Sequence, residues 1–244
     1  MGNKQSILTA QSPAALAEEY LVKSIWNKHF PPGSDLPAER ELAEKIGVTR
    51  ATLREVLQRL ARDGWLTIQH GKTTKVNDIW HTAGPNILGT LISLDSSLLP
   101  QIIDNVVTLR TQMGLYYIPQ AIKHNAEASL ALFDKLDSLE NSAEAYAQFD
   151  YELYRGFTFF ADKPVYGLIL NSFKPLYLQV AAYFFKDANA RQTTLNLYQK
   201  LHHYCQLGDA ENASNLLREN SRHNADLWQS ILKQLPQTSA EINL

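Results

Sequence analysis

Only three residues, Gly47-Val48-Thr49, separate two amphipathic helical patterns, and this spacing constrains the fold more than any other feature of the chain. Ahead of them, a pattern from about Pro37 to Ile46 turns Leu42, Ala43 and Ile46 inward. Behind them, Arg50 to Asp63 sets Leu53, Val56, Leu57 and Leu60 at the i, i+3, i+4, i+7 spacing of one buried face. Gly47 suits a left-handed C-terminal cap and Thr49 an N-cap. So short a connection makes the two helices turn sharply against each other. An earlier helix is predicted from Ser12-Pro13 to about His29, with Leu16, Tyr20, Leu21 and Ile25 as its buried stripe. Phe30-Pro31-Pro32-Gly33 stops it. After Gly64 the pattern changes: Trp65 to Gln69 reads as a strand, His70-Gly71-Lys72-Thr73 as a turn and Thr74-Lys75-Val76 as the returning strand. Three helices and a hairpin in this order make a winged helix-turn-helix.

The fold expectation is therefore mainly α. Residues 1–76 form the winged domain, 77–85 a linker, 86–236 an all-α bundle of six or seven helices, and 237–244 a frayed tail. Ile79 and Trp80 are too apolar to stay free in water and are expected to dock on one domain or the other. The helical segments fall at about 86–94, 98–124, 127–140, 142–161, 164–186, 188–207 and 209–234. Pro119 and Pro175 lie inside two of them and should kink or split their helices. No run approaches about 18 apolar residues, and the first ten residues do not read as a secretory signal. Met1-Gly2 with Ser6 matches an N-myristoylation pattern short enough to arise by chance. The single cysteine, Cys205, allows no internal disulfide and no cysteine-rich zinc site, which fits a reducing cytoplasm.

Charge singles out one region. Residues 1–80 carry 11 Lys/Arg against 9 Asp/Glu, whereas the remainder carries a net −4. Within residues 40–75 the balance is 8 basic to 4 acidic. A basic module on an acidic body suggests polyanion binding. Arg50 and Arg54 share one face of the third helix, opposite Leu53 and Leu57. An arginine fork can pair with O6 and N7 of guanine. Thr49 and Thr52 suit phosphate contacts, Arg40 can reach the same groove, and His70-Gly71-Lys72 forms a wing tip suited to the minor groove or backbone. Taken singly, Arg50, Arg54, Arg59 and Arg62 read as solvated helix charges rather than base contacts, Arg59 and Arg62 could pair only with Glu55 or Asp63, and Lys72 could be a plain turn residue; the joint arrangement is what favours the surface.

These residues carry a resemblance. Leu36-Pro37-Ala38-Glu39-Arg40-Glu41-Leu42-Ala43, Gly47-Val48-Thr49-Arg50, Leu53-Arg54-Glu55 with Leu57 and Leu60, Asp63-Gly64 and His70-Gly71 resemble the GntR family of bacterial transcription regulators. Ala38 replaces the more usual Ser, and Lys72-Thr73-Thr74 lacks the second wing Gly found in many members. The all-α second domain is similar to the helical (FadR/FCD) branch of that family. Many members of the branch hold a metal through an Asp and three His; here Asp150 is followed by Tyr154, with Tyr198 and Asn220 at the other two positions, so the resemblance implies no metal. His202, His203 and Cys205 look clustered, but helix neighbours one apart do not converge.

A longer match covers nearly the whole chain. It runs through Ala10-Gln11-Ser12-Pro13, Ala17-Glu18-Glu19-Tyr20, Pro100-Gln101-Ile102-Ile103-Asp104-Asn105, Tyr154-Arg155-Gly156 and Val165-Tyr166-Gly167-Leu168-Ile169-Leu170-Asn171 to the Trp228 and Lys233 segment. It resembles the metal-free, fatty-acid-responsive members of the branch. That implies a homodimer on a palindromic double-stranded operator, released when a long-chain acyl-CoA enters the bundle. Such proteins repress fatty acid degradation genes and activate unsaturated fatty acid synthesis genes. The resemblance makes Arg110 and Lys233 candidate cations for the coenzyme A phosphates, with Trp228 nearby. Phe184, Ser221 and Asn224 stand where relatives carry Tyr, Gly and Ser, which implies a weakened acyl-CoA response. The alternative is a GntR regulator sensing a metal-bound organic acid. No Gly-x-Ser-x-Gly elbow, phosphate loop, dinucleotide fingerprint or His-Glu-x-x-His motif is present, so no enzyme and no cofactor is expected.

Overall fold

Ser12 starts the first helix by accepting a hydrogen bond from the Ala15 amide at 3.2 Å. The computed structural model describes residues 11–232, and the chain divides into two units between Ile87 and Leu88. The first unit holds α1 (Pro13–Trp26), α2 (Glu39–Ile46), α3 (Arg50–Arg62), β1 (Leu66–Thr67), β2 (Lys75–Val76), α4 (Ile79–Thr82) and a 3-10 turn at Pro85–Ile87.

α1 stops at Trp26 and not at His29. Lys28 turns left-handed at φ 60°, and the Lys28 and His29 amides bond back to Ile25 and Ser24. This two-bond closure satisfies carbonyls that a further helical turn would have used. The buried stripe of α1 is rotated from the sequence expectation: Ala17, Leu21, Val22 and Ile25 are buried, while Leu16 is 43% exposed. α1 lies on α3, whose Leu53, Val56, Leu57 and Leu60 are all buried as the spacing requires. Gly47 ends α2 at φ 82°, and the Thr49 hydroxyl accepts the Thr52 amide at 3.1 Å to open α3.

The hairpin pairs Leu66 with Val76 and Thr67 with Lys75, a shorter ladder than the strand pattern of 65–69 predicts. A strap on the other side of β2 lengthens the sheet instead. The Gly33 amide donates to Val76, the Val76 amide to Ser34, and the Leu36 amide to Thr74, all at 2.8–2.9 Å. The turn expected at Phe30 to Gly33 is thus also the entry to an extended lane.

Residues 77–85, expected as a linker, are folded onto the winged unit. The Asn77 side-chain amide and the Thr82 hydroxyl both donate to the Gly64 carbonyl, at 3.0 and 2.7 Å. Gly64 itself sits at φ 89°, and a Cβ there would lie 2.6 Å from the Ala83 α-carbon. Both facts require glycine. Ile79 is buried as expected, but Trp80 is 64% exposed in this unit.

The second unit is all-α among the described residues: α5 (Leu88–Leu94), a 3-10 turn (Ser96–Leu98), α6 (Leu99–His124), α7 (Ala126–Ala131), α8 (Ala143–Phe160), α9 (Pro164–Ser172), α10 (Lys174–Phe184), α11 (Ala188–Leu207) and α12 (Ala210–Leu232). α8 is central, in contact with α6, α7, α9 and α10, while α12 lies on α6 and α11. The expected segment 164–186 is split into α9 and α10, with Pro175 in the first turn of α10, where its missing N–H is harmless. Pro119 instead lies within α6, which continues through it. The segment expected over 127–140 is helical only to Ala131 and continues as turns. The expected tail, 237–244, lies outside the described residues. Among those residues, no helix is long and apolar enough to cross a membrane.

Candidate functional site

In the winged unit, the only apolar side chain exposed on the N-terminal turn of α3 is the small Ala51. Arg50 and Arg54 project there and are both exposed. One carboxylate gathers them: Glu39 Oε2, in the first turn of α2, lies 2.6 Å from Arg54 Nε and 4.0 Å from an Arg50 terminal nitrogen. Thr49 and Thr52 share a hydroxyl–hydroxyl bond of 2.9 Å, so part of their bonding capacity already serves the helix cap. Among the described residues, the one ion-pair partner near Arg40 is Glu44 at 3.9 Å. At the wing, His70, Gly71 and Lys72 are exposed, and Gly71 takes φ 72° with open space where a Cβ would stand. The wing base is held by Asp35, which accepts from the Thr73 hydroxyl at 2.7 Å and pairs with Lys75 at 3.1 Å. These bonds lower the Asp35 pKa, the Thr73 hydrogen bond first.

Not every cation of the basic segment belongs to this surface. Arg59 turns inward toward α1, where Glu18 holds it at 2.6 Å, and Arg62 lies 3.6 Å from Asp63. The unit therefore presents Arg40, Arg50, Arg54 and Lys72 as its outward cations from the candidate set. Glu39 was not singled out from the sequence; its 15-residue separation from Arg54 leaves no local signal.

The second unit centres on Asp150 of α8, a buried carboxylate. Arg110 of α6 donates to both its oxygens, at 2.6 and 2.5 Å. Tyr177 of α10 donates to Oδ2 and Tyr198 of α11 donates to Oδ1 at 2.7 Å. Arg110 Nε also donates to the Tyr177 hydroxyl at 2.7 Å, and the guanidinium lies 3.5 Å over the Tyr154 ring. A buried carboxylate survives only when paired and hydrogen-bonded on its remaining lone pairs. Here three helices, α6, α10 and α11, supply those partners to α8. Burial is the largest single influence and opposes the Arg110 charge, but the Asp150 carboxylate with Tyr154 and Tyr177 together outweigh it and hold the guanidinium pKa well above its ordinary value. Burial also pushes the Tyr177 and Tyr198 phenols well up, so both remain neutral donors at physiological pH.

Arg110 lines both a small cavity and the neighbouring cleft, with its Nε engaged by Tyr177 and one terminal nitrogen by Asp150. Tyr154 and Tyr198 converge on the same Arg110–Asp150 pair as a ring face and a phenol donor, and Asn220 lines the cavity beside them. Among the described residues, no group of three or more His, Cys, Asp or Glu is placed to hold a metal. His202 packs its ring on Phe133 at 5.4 Å while His203 is exposed. Cys205 is buried, and burial pushes its thiol up to about 12.

A cavity of about 60 Å³ lies against Arg110, Val180, Phe184, Leu197 and Trp228. It has room for a few waters and not for a fatty acyl chain. Phe184, buried at the end of α10, stacks on Trp228 of α12 with centroids 4.8 Å apart and planes 19° apart. A larger cleft of about 250 Å³ shares Arg110, Tyr154, Asn220 and Trp228 with it and adds Thr108, Thr111 and Ser221. Phe184, Ser221 and Trp228 are thus brought together. The Asn224 side chain and Lys233 lie outside the described residues.

Comparison with known proteins completes the picture. The family model for bacterial regulatory proteins of the gntR family matches residues 13–76, and that for the FadR C-terminal domain matches residues 77–240. A fatty acid metabolism regulator protein of Haemophilus influenzae is 53% identical over 241 residues, covering 99% of this chain and 100% of that protein. Its counterpart from Pasteurella multocida is 54% identical over 236 residues, covering 97% and 98%. Among solved structures, Lar, described as controlling expression of the Listeria monocytogenes agr system, aligns at TM-score 0.57 and 18% identity over 93% of this chain and 100% of its own, a likeness of fold.

Proposed function

Because the chain belongs to the gntR family of bacterial regulatory proteins, on its fatty acid metabolism regulator branch, and is a DNA-binding transcription regulator and not an enzyme, we propose that a long-chain acyl-CoA entering the helical unit releases it from operator DNA. The observation that carries the proposal is the small cavity lined by Val106, Val180, Phe184, Leu197 and Trp228, with Phe184 stacked on Trp228. An acyl chain needs more room than the cavity offers, so entry must part that stack and drive the helices apart. A ligand that binds only the parted arrangement shifts the protein toward it, and coupling of about 1–3 kcal/mol alters operator occupancy substantially.

In this reading the protein works in the cytoplasm as a homodimer on a palindromic operator. It represses fatty acid degradation genes and activates unsaturated fatty acid synthesis genes. Arg50 and Arg54 read base edges; Thr49 and Thr52 meet phosphates; Arg40 extends the surface; and His70, Gly71 and Lys72 place the wing on the minor groove or backbone. In the helical unit, Trp228 and Phe184 flank the acyl path, Ser221 and Asn224 narrow the coenzyme A passage, and Lys233 adds a cation. Phe184 has no hydroxyl to offer the ligand, so the acyl-CoA response is weaker than that of a relative with Tyr at this position. No metal and no cofactor enters the mechanism.

The test is fluorescence anisotropy of a labelled palindromic operator, titrated with oleoyl-CoA at fixed salt, since phosphate contacts make affinity salt-dependent. Release at low micromolar ligand is expected. Operator binding that saturating oleoyl-CoA leaves untouched would overturn the acyl-CoA reading. Calorimetry on Phe184→Tyr should show tighter oleoyl-CoA binding than the unsubstituted chain; equal or weaker binding would sink the weakened response.

A further inference from the structure

The outward face of the winged unit holds an anion among the cations that a polyanion would meet. Glu39 Oε2 lies 2.6 Å from Arg54 Nε and 4.0 Å from a terminal nitrogen of Arg50. We propose that Glu39 determines specificity: it makes the arginine pair a poor site for a phosphate while leaving it fit for the uncharged edge of a base. The inference rests on the reading of Arg50 and Arg54 as base contacts and deepens it.

Three features carry this. First, the carboxylate occupies one corner of the Arg54 fork. It accepts from Nε, and among the described residues neither terminal nitrogen of Arg54 has a hydrogen-bond partner. Those two nitrogens are a matched pair of donors for O6 and N7 of guanine, so an end-on grip needs no release of Glu39. Second, the carboxylate changes what the pair attracts. One anion set between two arginines cuts their net charge from two to one. A phosphate brought to the same guanidinium meets a like charge across it, and it pays the repulsion or displaces Glu39. The edge of guanine carries no net charge and meets no such opposition. Third, the needs of α2 do not explain where Glu39 points. Its first turn holds Glu41 as well as Glu39, and either one suits the helix dipole. Glu41 stays exposed and, among the described residues, pairs with no arginine. Glu39 instead reaches an arginine 15 positions away on α3. The carboxylate beside Arg40 is different again: Glu44 lies one turn along the same helix at a loose 3.9 Å.

The experiment is fluorescence anisotropy on the full chain with two labelled duplexes of equal length, the palindromic operator and a random sequence, over a series of salt concentrations. Glu39→Gln keeps the shape and an acceptor for Arg54 Nε but removes the charge. The random duplex should then bind about fivefold more tightly near about 0.1 M salt, and its salt slope should steepen by about one, as for one further phosphate contact. The operator should gain less than about twofold, because its bases and not its phosphates face the pair. Glu39→Asp keeps the charge and should hold the ratio of the two affinities within about twofold of the unsubstituted chain. An equal gain on both duplexes overturns the proposal. So does a loss of operator affinity with random binding unchanged, which would leave Glu39 only positioning Arg54. A lower melting temperature with an unchanged salt slope also overturns it and makes Glu39 a helix residue alone. If Arg54→Ala binds the operator normally, the base-contact reading fails first. If Arg54→Ala loses discrimination while Glu39→Gln keeps it, only the role of Glu39 fails.

Discussion

Each unit sets an arginine against a carboxylate, and the two pairs behave oppositely. Arg54 and Glu39 meet at 2.6 Å with 61% and 37% of their side chains exposed. Arg110 and Asp150 meet at 2.5 Å with 21% and 5% exposed. An exposed pair contributes about 0.2–1 kcal/mol and is screened by salt, so either partner can be drawn away. A buried pair is worth little over an apolar replacement, yet breaking it leaves a charge without water. The same two functional groups therefore make an exchangeable contact on the winged unit and a fixed centre in the helical one. Arg54 can give up Glu39 for a phosphate or a base. Arg110 cannot give up Asp150 without the four helices around it responding.

The largest expected effect tests the fixed centre. Asp150→Ala should cost about 3–5 kcal/mol in urea unfolding, because Arg110 is left charged and buried. Replacing both members, Asp150→Leu with Arg110→Met, should recover most of the loss; if it does not, the pair is worth more than the comparison allows. Next, Arg54→Ala should cost about 1–3 kcal/mol of discrimination between operator and random DNA, and Arg50→Ala a similar amount, read by competition anisotropy. Unfolding stability should change by less than about 1 kcal/mol. Lys72→Ala should weaken both DNAs evenly and lower the salt slope by about one. Normal operator binding by Arg54→Ala would place the reading face elsewhere on α3.

Alkaline pH should separate the units more gently. Burial raises the Cys205 thiol to about 12 from an ordinary 9.0. Below pH 9 the thiol is protonated in folded and unfolded chains alike, and its contribution is complete. Between about 9 and 12 only the unfolded thiol ionises, so stability falls as pH rises. Cys205→Ala should flatten the pH dependence of helical-unit melting in that window; an unchanged slope would leave the fall to the buried phenols, whose pKa values burial also raises. The smallest effect concerns α2, whose N-cap is Ala38 and has no side-chain bond. Ala38→Ser should stabilise the winged unit by about 1 kcal/mol in thermal melts.

What was legible in the sequence was local. Ser12, Thr49 and Gly47 act at the helix ends where their chemistry predicts, and the four-residue face of α3 is buried throughout. Bonds between distant residues were not legible. The strap at residues 33–36 joins β2 across some forty positions, and no periodicity in either segment records the pairing. Arg110 and Asp150 are likewise 40 residues apart. The resemblance names Arg110 as a candidate ligand cation, but nothing local in the sequence signals its pairing with Asp150. Tyr154 and Tyr198 looked like positions where metal ligands are missing; their ring face and hydroxyl are in fact partners of that same pair. Leu16 misled because Ala17 takes its place inside, and an alanine adds little to any hydrophobic pattern.

The Gly64 carbonyl, held from Asn77 and Thr82, makes α3 a lever. Its C-terminal end is bolted to the segment through which the chain leaves the winged unit, and its N-terminal end carries Arg50 and Arg54. Thirteen residues at 1.5 Å each give an arm of about 20 Å, so a tilt of about 10° at the bolted end sweeps the arginines by roughly 3 Å. A two-pronged grip on a base edge does not survive a slip of that size. If Arg50 and Arg54 read base edges as proposed, movement of residues 77–83 is sufficient to unseat them, with no change inside the winged core.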